Sequence, residues 1–199
     1  MAKSDFLNDA ARCGAIVGLL LVLSSTFELK LVLGFSNGGE PSPSILLVRA
    51  LLILMGYFVA AALHFYLLYA AARRLSLRST AAEGFSFGRG YGFVLTGSAF
   101  AGVILGAGNY VYIHLLLGYG EYIDRLSDTV VRLIGMSGTP LAETMLEVVD
   151  RIRETPAPSI FSTVLGGVWS SVLFGLIFGL IIAGVLARAP QPFDSQSND

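Results

Sequence analysis

Apolar residues dominate four long stretches of the chain, 13–35, 45–72, 91–118 and 160–187, and few charges interrupt them. A bilayer core takes roughly 20 consecutive apolar residues in a helix, so each stretch predicts one membrane span. The fold class is all-α, a four-helix transmembrane bundle. The last three stretches exceed the minimum, which predicts tilt or extension into the headgroup layer. The first is too long for a signal-peptide core and no small-x-small cleavage site follows it, so it is read as span one.

Between spans three and four the period changes. Ile123, Leu126, Val130 and Leu133 recur at three and four, and Leu141, Met145, Val148 and Ile152 repeat the pattern. This predicts two amphipathic helices in an outer loop, 119–158. "GMSGTP" supplies the turn, with Thr139 as cap and Pro140 at the first helical position, and "TPAPS" stops the second helix. The hairpin lies on the membrane surface, folds over the bundle or caps it as a partner-binding element.

Charge sets the orientation. The loop after span two carries Arg73, Arg74, Arg78 and Arg89 against Glu83 alone, whereas the first hairpin, "SNGGEPSPS", has no basic residue. By the positive-inside rule the arginine loop is cytoplasmic. Lys3, Arg12 and Arg188 agree, so both termini are expected in the cytoplasm and the 119–158 hairpin outside. Residues 1–188 then make one integral membrane domain and 189–199 a flexible cytoplasmic tail.

Composition narrows the function classes. Apolar residues are 54% of the 199 and charged residues 14%, against about 25% charged in soluble domains. Mean hydropathy is +0.71. With a net charge of −1 and no basic run, nucleic acid is not an expected partner. The one cysteine, Cys13, excludes an internal disulfide framework and a cysteine metal site, and no cofactor is expected.

Small residues recur every fourth position within the spans. Gly14 and Gly18 open span one; Gly84, Gly88 and Gly92 lead into span three, where Ser98, Gly102 and Gly106 continue; Ser171, Gly175, Gly179 and Ala183 run down span four. Residues four apart share a helix face, and missing bulk there lets backbones approach where lipid supplies no hydrophobic drive. Gly88, Gly92, Gly102, Gly106, Gly175 and Gly179 are the candidate packing positions. Their partner is another span of this chain, a second copy or another membrane protein.

The polar residues at depth are few. Glu28 lies near the outer end of span one and Arg49 near the outer start of span two, so a structural ion pair is expected across the hairpin, with Lys30 rotated roughly 200° from Glu28 toward the headgroups. His64 is near the middle of span two, on a face with Gly56 and Ala60, and Asn109 shares the Ser98–Gly102 face of span three. A lone histidine among small residues is usually a hydrogen-bonded packing element. His114 faces the other way, and no metal-ligand set converges.

Catalytic motifs are absent: no H-E-x-x-H, no P-loop, no G-x-S-x-G and no cysteine nucleophile with a nearby histidine. "GRGYG" precedes a membrane helix, not a strand-helix unit. His64 with Ser98 imitates an intramembrane serine protease, but no oxyanion-forming motif accompanies them. The expectation is a non-enzymatic scaffold or accessory subunit acting through helix packing, with a small oligomeric transporter or channel subunit as the alternative. Both His64 and Asn109 turned to one cavity favours the alternative; both in dry helix contacts favours the first.

"EGFSFGRGYGFVLTGSAFAGVILGAGNYVYIHLLLGYGEYID" resembles the uncharacterised bacterial membrane family catalogued as domain of unknown function 4199. So do "CGAIVGLLL" in span one, "AARRLSLR" after span two and the closing "GLIFGLIIAGVLAR". The resemblance covers nearly the whole chain. Where the family tends to continue Ile-Asp with proline, this chain has Ile123-Asp124-Arg125. The resemblance implies a four-span inner-membrane protein of a Gram-negative bacterium, with no activity to carry over. Phe85 and Phe87 of its "FSFG" element are expected at the membrane interface.

Overall fold

The structure is a computed structural model that describes residues 3–34, 43–80, 82–137 and 142–190. Among these residues six α-helices follow in order: α1 (Lys3–Leu33), α2 (Pro43–Leu77), α3 (Phe87–Tyr110), α4 (Tyr119–Ser137), α5 (Ala142–Glu154) and α6 (Ile160–Leu186). Among the described residues there is no strand beyond one isolated bridge, Phe85 to Arg188. Among the described residues four helices are long and apolar enough to cross a membrane: α1, α2, α3 with its extension, and α6. Their large apolar side chains point outward, as in Phe58 and Leu23, which suits a lipid solvent and not water.

Helix ends follow local chemistry. The Ser86 side chain accepts the Arg89 N–H at 3.3 Å to cap α3, and Ser159 accepts the Ser162 N–H at 3.2 Å to cap α6. α1 starts ten residues before the apolar stretch, because Asp5, Asp9 and Arg12 sit on a helical extension beyond it. Its 31 residues span about 46 Å, more than the roughly 30 Å hydrocarbon core. One departure is α3, which continues as a π-helix, Val111–Leu117, before Gly118 ends it at φ +88°. Wider winding there stacks the His114 ring between Tyr110 and Tyr119, at centroid distances of 4.2 and 5.2 Å.

α3 is the hub. It packs most extensively on α6, next on α1, and more lightly on α2. The dry core lies in the half of the bundle nearest the termini, built from Ala10, Cys13 and Val17 of α1, Leu68, Ala72 and Leu75 of α2, Phe93, Val94 and Ala101 of α3, and Ile182 and Leu186 of α6. Phe85, expected to face the membrane interface, instead turns into this core at 1% exposure, whereas Phe87 stays half-exposed. The bridge is the cause: Phe85 N–H donates to the Arg188 carbonyl at 3.0 Å and Arg188 N–H returns to Phe85 at 2.9 Å, folding Phe85 inward.

α4 and α5 pack on each other, and α4 touches the end of α1, where the Thr129 hydroxyl donates to the Val32 carbonyl at 3.4 Å. Ile123, Ser127 and Val149 are buried there. Thr139 and Pro140, read as the turn, lie outside the described residues, as do most of the 189–199 tail and the first hairpin.

Candidate functional site

Beyond the dry core, in the half of the bundle away from the termini, the four long helices part around a cavity of about 270 Å³. α1 contributes Ser24, Ser25 and Glu28 at three- and four-residue spacing, hence one face. α2 contributes Tyr57 and His64, α3 contributes Asn109, and α6 contributes Ser171 and Phe174. Leu21, Ala60, Ala61 and Leu105 make up much of the apolar remainder.

Glu28 is buried at 9% exposure. Its carboxylate accepts the Ser24 hydroxyl at 3.0 Å and lies against α2, 3.7 Å from the place of a Cβ on Gly56, the neighbour of Tyr57. The expected partner does not fill this role. Arg49 lies beside the end of α1, with Nη1 3.3 Å from the place of a Cβ on Gly34, six residues past Glu28. A helix rises about 1.5 Å per residue, so Gly56 and Tyr57, two turns further into α2 than Arg49, meet Glu28 at its own depth. Lys30 is exposed, turned away from the cavity as its angle on α1 requires.

Asn109 accepts the Ser25 hydroxyl at 3.0 Å, tying α3 to α1 at the cavity wall. His64 is 2% exposed and its ring stands edge-on to Phe178 at 5.5 Å, on the boundary between cavity and core. Its Nε2 has no hydrogen-bond partner, and neither has the Ser171 hydroxyl, which is 1% exposed. A buried polar atom left unmet costs about 1–3 kcal/mol. Two such atoms border one cavity.

The candidate packing glycines divide. A Cβ on Gly102 would stand 2.5 Å from Val168 Cα, one on Gly106 2.5 Å from Val164 Cα, and one on Gly175 2.5 Å from Ser98 Oγ; Gly179 meets Tyr91 at 2.9 Å. These four lie in the α3–α6 seam. Gly14 and Gly18 meet Gly97 and Ile104 of α3 in the same way. Gly88 and Gly92 are different: a Cβ on either meets nothing within 4 Å. The run of fours changes face near Gly90, whose neighbour is Ala183 of α6.

Two larger hollows sit near the termini, sharing Asp9, Arg12 and Arg78. Asp9 and Arg78 form an ion pair there, and Arg78 is more than half exposed, so water and each partner satisfy those charges. Among the described residues no group of three or more His, Cys, Asp or Glu could hold a metal ion.

Ser24, Ser25, Tyr57 and Ser171 were not legible as site residues. Ser24 and Glu28 are an i, i+4 pair, a signal the sequence does carry, but Ser171 reads as one more small residue of a seam.

Comparison with curated proteins and with solved structures gives no match. A family model described as "Protein of unknown function (DUF4199)" matches residues 12–188. The match takes in most of α1 and the whole of the other long helices, the cavity they border and the Phe85–Arg188 clasp, and the chain belongs to the DUF4199 family.

Proposed function

We propose that this membrane protein is a non-enzymatic transport subunit that takes a small polar solute into the cavity between α1, α2, α3 and α6. One observation supports the reading: Glu28, His64, Asn109 and Ser171, on four different helices, border a single cavity, with His64 Nε2 and the Ser171 hydroxyl unpartnered. Ionisable residues within membrane spans are costly, and where they face a cavity they mark solute or ion paths. A dry bundle would gain by closing over apolar side chains at this level, as it does nearer the termini. Four spans are few for a carrier, since many are built from repeats of several helices each, so the unit works as an oligomer. Its setting is the bacterial inner membrane with both termini cytoplasmic, from the arginines that gather near the terminal end.

The test is accessibility to a membrane-impermeant thiol reagent in a Cys13→Ser background. His64→Cys and Asn109→Cys are expected to label, along with Arg49→Cys as a rim control. Labelling of Arg49→Cys alone would overturn the transport reading.

A scaffold or accessory role is the second reading. Gly88 and Gly92 favour it, because they leave part of α3 bare of side chains and uncovered within the chain, a place where a helix of another membrane protein could seat.

A further inference from the structure

We infer that the solute of this cavity is a small organic cation, an ammonium compound of a few carbons, with Glu28 as its counter-charge. The inference rests on the transport reading and adds the substrate's charge to it.

The lining holds one carboxylate and no lysine or arginine. Glu28 is nine-tenths buried, and the ion pairs among the described residues, Arg78 with Asp9, Arg125 with Glu121 and Arg153 with Asp128, leave it out. A buried carboxylate is stable in a low-dielectric site when a cation or a full set of donors meets it. An ionised carboxylate has about four acceptor positions, and the Ser24 hydroxyl fills one. An ammonium group supplies both the missing donors and the missing charge.

The rest of the wall fits the same solute. Tyr57 and Phe174 bring aromatic rings, whose faces attract cations when water is excluded. His64 Nε2 and the Ser171 hydroxyl, both buried and unpartnered, offer hydrogen-bond positions at the end away from Glu28. A volume of about 270 Å³ equals roughly nine waters and lies just below the range of drug-sized pockets, so a compact solute fits and a lipid does not. An anion would meet Glu28 with no basic side chain to offset the repulsion.

The full chain in lipid nanodiscs is titrated calorimetrically, with empty nanodiscs subtracted, against three near-isosteric probes: isobutylammonium, isobutanol and isobutyrate. Isobutylammonium is expected to bind most tightly. Glu28→Gln is expected to weaken it at least about thirtyfold, the low end for losing one partner of a buried charge pair, and to leave isobutanol within about twofold. Glu28→Asp keeps the charge and the order of preference, which guards against a Glu28→Gln chain that fails to fold. Isobutanol or isobutyrate binding as tightly as isobutylammonium would overturn the cation and keep the transport cavity. No probe binding while His64→Cys labels would overturn it too, leaving a cavity that holds water alone. No binding and no labelling at 64 and 109 would remove both readings.

Discussion

Gly102 of α3 and Gly167 of α6 meet backbone to backbone: a Cβ on Gly102 would stand 2.6 Å from the Gly167 carbonyl oxygen, and one on Gly167 2.5 Å from the Gly102 oxygen. No side chain can yield, because the neighbours are main-chain atoms. Gly102→Ala is therefore expected to force the helices apart, at about 1–3 kcal/mol, the usual range for overpacking a close-packed interior. Gly92→Ala, which meets nothing, is expected to hold or slightly raise stability through helix propensity. Unfolding both variants in mixed micelles checks the pair. Equal stabilities would mean that the α3–α6 seam does not set the fold.

Gly84 combines two demands. Its φ is +63°, where L side chains are strained, and a Cβ would stand 2.7 Å from the Arg188 carbonyl oxygen that receives the Phe85 N–H. Left-handed backbone alone costs a non-glycine residue about 1–2 kcal/mol. Gly84→Ala is expected to lower stability by at least that much and to open the clasp that holds the end of α6 to the start of α3. Faster proteolysis after residue 186 in the variant than in the wild type is the measurement.

Much of this fold is legible in residue patterns. Each of the four apolar stretches coincides with one long helix, α1, α2, α3 with its π extension, or α6, because span length and apolar content follow from bilayer thickness. Ends are less legible: α1 and α2 run on through charged residues, since a helix needs no apolar side chains once it leaves the lipid. The cavity is the harder part. Pairing Glu28 with Arg49 follows charge, whereas the fold sets Glu28 beside Gly56 and Tyr57 by depth along two antiparallel helices, and depth is not visible until both helix starts are fixed. Gly88 and Gly92 share the four-residue spacing of Gly102 and Gly106, but spacing names a face without naming its neighbour.

Tyr122 of α4 lies outside the spans, and burial, followed by the neighbouring Tyr119, pushes its hydroxyl above the ordinary value of 10.0. The folded state then holds the proton when the unfolded chain has released it. Stability is expected to be level below about pH 10 and to fall as pH rises through that value toward the folded-state pKa. Tyr122→Phe removes the proton and should flatten this alkaline slope, with little change at neutral pH. Stability curves of the two proteins between pH 8 and about 11.5 make the comparison, and identical slopes would mean that α4 does not shield Tyr122.

Ser171 separates packing from binding. Its hydroxyl is buried and unpartnered, so in a purely structural role Ser171→Ala removes an unmet polar atom and is expected to leave stability unchanged or raise it by up to about 1 kcal/mol. If the hydroxyl serves a solute, the same variant loses one hydrogen bond to it, and an ammonium probe with a hydroxyl at its far end, 4-hydroxybutylammonium, is expected to bind roughly threefold to tenfold more weakly, whereas isobutylammonium, whose polar group sits at Glu28, is expected to bind as before. Ser98→Ala is the control. Ser98 is equally buried and unpartnered but faces Gly175 in the α3–α6 seam and does not line the cavity, so it shares the stability effect without the binding effect. A Ser171→Ala chain that is as stable as wild type yet binds the hydroxylated probe more weakly than Ser98→Ala assigns the hydroxyl to the solute. Equal binding of that probe in the two variants would assign Ser171 to helix packing alone.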